Sequence, residues 1–111
     1  MLFPKIMKPL VSICCMTYNH EKYIEDSLKG FLLQKTNFPF EIVISNDCSS
    51  DNTQILINKC KIMHPNLFKD VSPQINIGAK ENFNRIIESA EGKYIAFCEG
   101  DDYWIDTNKL Q

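Results

Sequence analysis

The chain has 111 residues, of which 44% are hydrophobic and 23% charged, and a formal net charge of −2. That is the size and balance of one small globular domain. It excludes the basic field of a nucleic-acid or anionic-membrane binder, and no apolar run approaches the roughly 20 residues of a membrane span.

The opening "MLFPKIMKPL" contains two prolines and no run long enough for a signal peptide, so residues 1–9 read as a lead-in to the first strand. "LVSICCMTYN" (10–19) is a continuous apolar, partly β-branched run, as expected of a strand buried on both faces. "HEKYIEDSLKGFLLQ" then places Ile24, Leu28, Phe31 and Leu32 at helical spacing, with Asn19 as its expected cap. "FEIVISNDCSSDNT" (40–53) repeats the theme: a buried strand over Glu41–Ser45, then a polar turn. Asp51 and Gln54 have capping-box spacing ahead of a helix that runs to Met63 and presents Ile55, Leu56, Cys60 and Met63. A short strand is expected near Ile75, followed by a helix from Gly78 that uses Ala79, Phe83, Ile86, Ile87 and Ala90, with Gly92 as its stop. "KYIAFC" (93–98) is the fourth strand.

Strand–helix alternation of this kind predicts an α/β domain with a parallel sheet and helices on its faces. In such sheets ligands bind at the carboxyl ends of the strands, where "TYNHE", "NDCSSD" and "EGDD" all fall. Five cysteines, at 14, 15, 48, 60 and 98, show no CxxC pairing and read as small buried hydrophobes of a reducing compartment, rather than a zinc site. The expected location is therefore cytoplasmic. The absence of GxGxxG, GxxxxGK[ST] and GxSxG sets aside dinucleotide-binding, phosphate-loop and serine-hydrolase chemistry.

Adjacent carboxylates at a strand end, Asp101 and Asp102, suit a divalent cation, which offsets their mutual repulsion; the competing reading is a solvated turn that caps a helix. Asp47 suits an imide N–H, such as that of uracil, or equally turn and cap chemistry. Tyr18 suits stacking on a flat base or half-buried packing, and His20 reads as a solvated loop residue.

Taken together, "VSICCMTYNHEKYIEDSL", "FEIVISNDCSSDNT", "NIGAKENFNRIIESAEGKYIAF" and "EGDDYW" resemble, in order and spacing, the N-terminal, nucleotide-sugar-binding half of family 2 glycosyltransferases with the GT-A fold. The resemblance implies a Rossmann-like three-layer α/β/α sandwich, cut after the acidic (DXD-type) metal motif, with residues 1–111 forming one partial domain. It implies that Thr17, Tyr18 and Asn19 line the base and ribose pocket with Glu21 at its edge, and that Asp47 faces the base. Lys80 would approach the phosphates, Glu99 and Asp101 the ribose, and Asp102, with Asp101, a Mn²⁺ or Mg²⁺ ion.

The implied reaction is inverting transfer of a sugar from a nucleotide-diphosphate donor, UDP-linked by preference, to a carbohydrate or lipid-linked acceptor in polysaccharide biosynthesis. The general base is expected beyond Gln111, and the exposed sheet edge left by the fourth strand is compatible with a homo-oligomer. This chain departs from the family pattern at Met16, at Asn46 (the first acid of the usual aspartate pair), at Glu99 and Gly100, and at Thr107. Two rival readings are a binding-only fragment and a metal-dependent nucleotidyltransferase or phosphohydrolase.

Overall fold

A computed structural model describes residues 8–34 and 38–99, the last of these by its backbone alone. The elements run β1 (Val11–Thr17), α1 (Ile24–Leu32), β2 (Phe40–Asn46), α2 (Thr53–Met63), β3 (Phe68–Asp70), α3 (Gly78–Ser89) and β4 (Tyr94–Glu99). All neighbouring strands pair in parallel, in the order β3-β2-β1-β4. Each strand is thus joined to the next through a helix, as parallel pairing requires.

The unbroken apolar runs of β1 and β2 are buried on both faces. Ile13, Cys15, Ile42 and Ile44 point to one side, where they meet Ile24, Leu28 and Phe31 of α1 and Ile57 of α2. Cys14 and Val43, one residue out of phase, point to the other and pack on Ile86 of α3. Two helices on one face and one on the other give the three expected layers. All five cysteines are free thiols, and burial together with nearby Glu41 pushes Cys14 up to about 11.

Four local expectations are corrected. The short strand is Phe68–Asp70, not the stretch near Ile75, because Ile42 N–H bonds to Leu67 O and Val71 N–H to Ile44 O at its two ends. In α2 the inward face is Thr53, Ile57 and Cys60 with Leu56, while Ile55 and Met63 are 56% and 74% exposed. Asn19 does not cap α1, which starts only at Ile24, because a turn closed by His20 O intervenes. Asp51 and Gln54 form no capping box: Asp51 Oδ1 accepts from Thr53 N–H at 3.0 Å, while Gln54 reaches Asn46, Asn58 and Asp70.

Gly92 also differs from expectation. Helix α3 ends with Ala90 in extended backbone (φ −71, ψ 133), two residues before the glycine. A Cβ on Gly92 would lie 2.5 Å from Ser12 N, so this position admits glycine for want of space.

Candidate functional site: the carboxyl edge of the sheet

The register sets the site. Thr17 pairs with Asn46 and Met16 with Glu99, so β1, β2 and β4 all end at one level. Strand order reverses direction between β1 and β4, the switch point at which open parallel sheets form ligand crevices. An open cleft of about 400 Å³ lies at the neighbouring ends of β2 and β3, lined by Asn46, Cys48, Ser49, Gln54, Asp70 and Ser72.

The turn after β1 and the turn after β2 are stitched together. Asp47 N–H donates to Thr17 O at 2.9 Å. Asn19 N–H donates to Ser49 Oγ at 2.9 Å, and Asn19 Oδ1 accepts Ser50 N–H at 2.9 Å. His20 N–H reaches Thr53 Oγ1 at 3.0 Å, and Glu21 N–H reaches Asp51 Oδ2 at 3.2 Å. In return the Glu21 carboxylate accepts Asn52 N–H at 3.3 Å and Asn52 Nδ2 at 3.1 Å. That places an anion at the N-terminus of α2, where the helix dipole favours it. Burial pushes the Asp51 carboxyl up, but hydrogen bonds from Thr53 and from backbone N–H groups, that of Glu21 among them, together outweigh it and hold Asp51 below the usual carboxylate range.

Of the residues nominated from sequence, Thr17 is buried, with its Oγ1 2.8 Å from His20 Nδ1. Tyr18 is 47% exposed at the end of β1. Asn19 is held in the left-handed region at φ 53, and its side chain and that of Glu21 are engaged across the two turns. Asp47 is buried, and its two oxygens accept Ile77 N–H at 2.7 Å and Gly78 N–H at 2.9 Å, while its backbone carbonyl accepts Asn76 Nδ2 at 3.0 Å. Asp47 thus anchors the first turn of α3, and each oxygen keeps a further lone pair. Lys80 is exposed, the third residue of that helix. Glu99 ends β4, while Asp101 and Asp102 lie outside the described residues. Among the described residues, no group of three or more His, Cys, Asp or Glu could hold a metal ion.

Sequence reasoning missed how Ser49, Asp51, Asn52 and Thr53 are used. They are the small polar residues that favour turns, but their partners stand some 30 positions away in the chain.

The family model for glycosyl transferase family 2 matches residues 12–111. The chain belongs to that family. A relative at 44% identity over 100 residues is the uncharacterized protein Rv1520 of Mycobacterium tuberculosis, a match that covers 90% of this chain and 29% of Rv1520. Among solved structures, S. aureus TarS 1-349 in complex with UDP is 33% identical, with a TM-score of 0.77 over 94% of this chain and 30% of TarS. The mannosyltransferase PcManGT from Pyrobaculum calidifontis, in complex with GDP-Man and Mn²⁺, has a TM-score of 0.81 at 24% identity over 96% of this chain and 31% of that one. The sheet is therefore that of the GT-A glycosyltransferases, and this family 2 chain spans about three tenths of the length of each of these three proteins. Among its described residues no helix is long and apolar enough to cross a membrane.

Proposed function

We propose that this family 2 chain supplies the donor half of a glycosyltransferase site: it binds a nucleotide-diphosphate sugar, UDP-linked by preference, for transfer to an acceptor hydroxyl with inversion. The observation that carries this reading is the convergence of the Thr17–Glu21 and Asp47–Thr53 turns at the carboxyl edge, level with the end of β4. The UDP complex of TarS supports the choice of nucleotide.

In this reading the exposed Tyr18 ring flanks the base, and Asp47 accepts its imide N–H through a lone pair left over from the α3 contacts. Thr17, Asn19 and Glu21 shape the ribose side through the turn they hold, and Glu99 and Asp101 complete it. Lys80, exposed on the first turn of α3, is the cation offered to the phosphates. Asp102, with Asp101, is assigned the divalent cation, Mn²⁺ or Mg²⁺; a bound cation there would offset charge on the departing diphosphate. The acceptor, a carbohydrate or lipid-linked hydroxyl of polysaccharide synthesis, and the general base belong to the reaction but to no described residue.

Calorimetric titration of the folded chain with UDP, with and without Mn²⁺, tests the assignment. The expected result is saturable binding that tightens at least about tenfold with the metal, some 1.4 kcal/mol. Absence of nucleotide binding in either condition sinks the donor-site reading, and release of phosphate without sugar transfer favours a phosphohydrolase.

A further inference from the structure

Behind the two turns runs a directed chain of hydrogen bonds. It begins at Asp70, the last residue of β3, whose carboxylate is paired with Lys61 Nζ at 2.8 Å and accepts Ser72 N–H at 3.0 Å. Gln54 Nε2 donates to Asp70 Oδ2 at 3.0 Å, and Gln54 Oε1 accepts from Asn46 Nδ2 at 2.9 Å. Asn46 Oδ1 accepts from Ser49 Oγ, which in turn accepts the Asn19 N–H at 2.9 Å.

The direction of every link follows from the first. Burial pushes the Asp70 carboxyl up, but hydrogen bonds from Lys61 and Ser72 and the Lys61 charge outweigh it and hold it below the usual range. Ionised, it can only accept. Gln54 must then turn its NH₂ to Asp70 and its oxygen to Asn46. Asn46 must present its NH₂ to Gln54 and its oxygen to Ser49, and the Ser49 lone pairs face Asn19.

The terminus of this relay matters because Asn19 sits at φ 53, a conformation that disfavours residues with a Cβ by roughly 1–2 kcal/mol. Asn19 directly follows Tyr18, so the bond to its N–H, together with that from Ser50 N–H to its Oδ1, holds the chain as it leaves β1. Position 46 is also where this chain departs from the aspartate pair of the family it resembles. A carboxylate there has no proton for Gln54 Oε1, and Gln54 Nε2 is already engaged by Asp70 and Asn58. Asn46, 2% exposed, and Gln54 are a matched pair.

We propose that Asn46 is a positioning residue for nucleotide binding: acting through Ser49, it holds the Tyr18–Asn19 turn in its ligand-ready conformation, with its amide oriented by Gln54. The proposal rests on the reading of that turn as the base and ribose pocket.

The test uses the full chain with Asn46→Asp, Ser49→Ala and the double variant Asn46→Asp/Gln54→Lys, which returns a donor to face the acid. Two quantities are measured: hydrogen exchange of the Asn19 amide by NMR and UDP affinity by calorimetry. Asn46→Asp and Ser49→Ala should each speed Asn19 exchange and weaken UDP binding about tenfold, the scale of one hydrogen bond, while the amides of β1 and β2 stay protected. The double variant should recover most of the affinity. If Asn46→Asp unfolds, Ser49→Ala alone decides, because it removes the hydroxyl that joins Asn46 to Asn19 and leaves the Asn46–Gln54–Asp70 bonds in place. Unchanged UDP affinity in these variants, against a wild-type chain that binds, overturns this proposal and leaves the donor site standing. Unchanged Asn19 exchange overturns the relay itself. A wild-type chain that binds no UDP overturns the donor-site reading, and this proposal with it.

Discussion

Both carboxylate oxygens of Asp47 accept N–H groups from the start of α3, so one side chain joins the end of β2 to the helix that follows β3. The next residue, Cys48, carries φ 55, where a Cβ is unfavourable and only its short side chain, with Sγ 3.6 Å from Gln74 O, softens the cost. Glycine there would relieve that strain, worth about 1 kcal/mol, and lose about as much to unfolded-chain entropy. Cys48→Gly should therefore leave urea-unfolding stability within about 1 kcal/mol of wild type, and Cys48→Val should lower it by about 1–2 kcal/mol because a β-branched residue fits that conformation worst. Equal losses for both would show that the thiol contact, not the backbone, governs the position. At this scale the sequence was legible by residue type: small polar side chains at strand ends announce turns. Partners were not legible, since Glu21 reaching Asn52, or Asp47 reaching Gly78, depends on a register that no local signal specifies.

The connection from α3 to β4 is fixed from below the sheet by a clasp of charges and hydroxyls. Lys69 of β3 donates to Ser89 O at 2.8 Å and to Glu91 at 2.6 Å, with Glu41 3.5 Å away. Ser12 Oγ bonds Glu41 at 2.6 Å and accepts Gly92 N–H at 2.8 Å. Burial lowers the Lys69 ammonium, but the paired glutamates outweigh it and raise it on balance. Gly92 lies against β1 so closely that an added methyl group meets backbone atoms Ser12 N and Val11 C, which cannot swing aside as a side-chain tip can. Gly92→Ala should thus cost about 1–3 kcal/mol in thermal or denaturant unfolding, the usual range for overpacking, with Gly78→Ala a control that meets no atoms but carries the strain of φ 84. A neutral Gly92→Ala would show that the α3–β4 connection yields.

The elements themselves were foreseeable. Largely apolar, partly β-branched runs such as Val11–Thr17 belong to central parallel strands, and the i, i+4, i+7 spacing of Ile24, Leu28 and Phe31 has one reading. Helix α2 misled because apolar residues occur nearly all round it, so periodicity did not choose between Ile55 and Ile57 for the core. The three-residue β3 lies mostly half-buried at the sheet edge, too short to carry a pattern.

For the whole molecule, alternation of strand and helix joins the parallel strands through helical crossovers, and these bring the turns after β1 and β2, far apart in sequence, to one edge beside the end of β4. One lateral margin of the described sheet is β4, where Tyr94, Ile95 and Phe97 are 56%, 46% and 41% exposed and Phe97 packs edge-on against Phe83, centroids 5.1 Å apart. In the proposed function, the acidic motif two and three residues after Glu99 is what would tie the carboxyl edge to a diphosphate and its metal. That placement is legible in sequence alone.

The most direct measurement of this account is therefore UDP affinity, with and without Mn²⁺, for wild type, Asp102→Asn and Asp47→Ala, on chains shown to be folded by circular dichroism. Asp102→Asn should abolish the gain in affinity that Mn²⁺ confers and leave metal-free binding unchanged. Asp47→Ala should weaken binding about tenfold or more in both conditions, alongside a stability loss of about 1–2 kcal/mol from the lost helix anchor. Equal and small effects of the two substitutions, or a Mn²⁺ response that survives Asp102→Asn, would contradict the donor site as assigned.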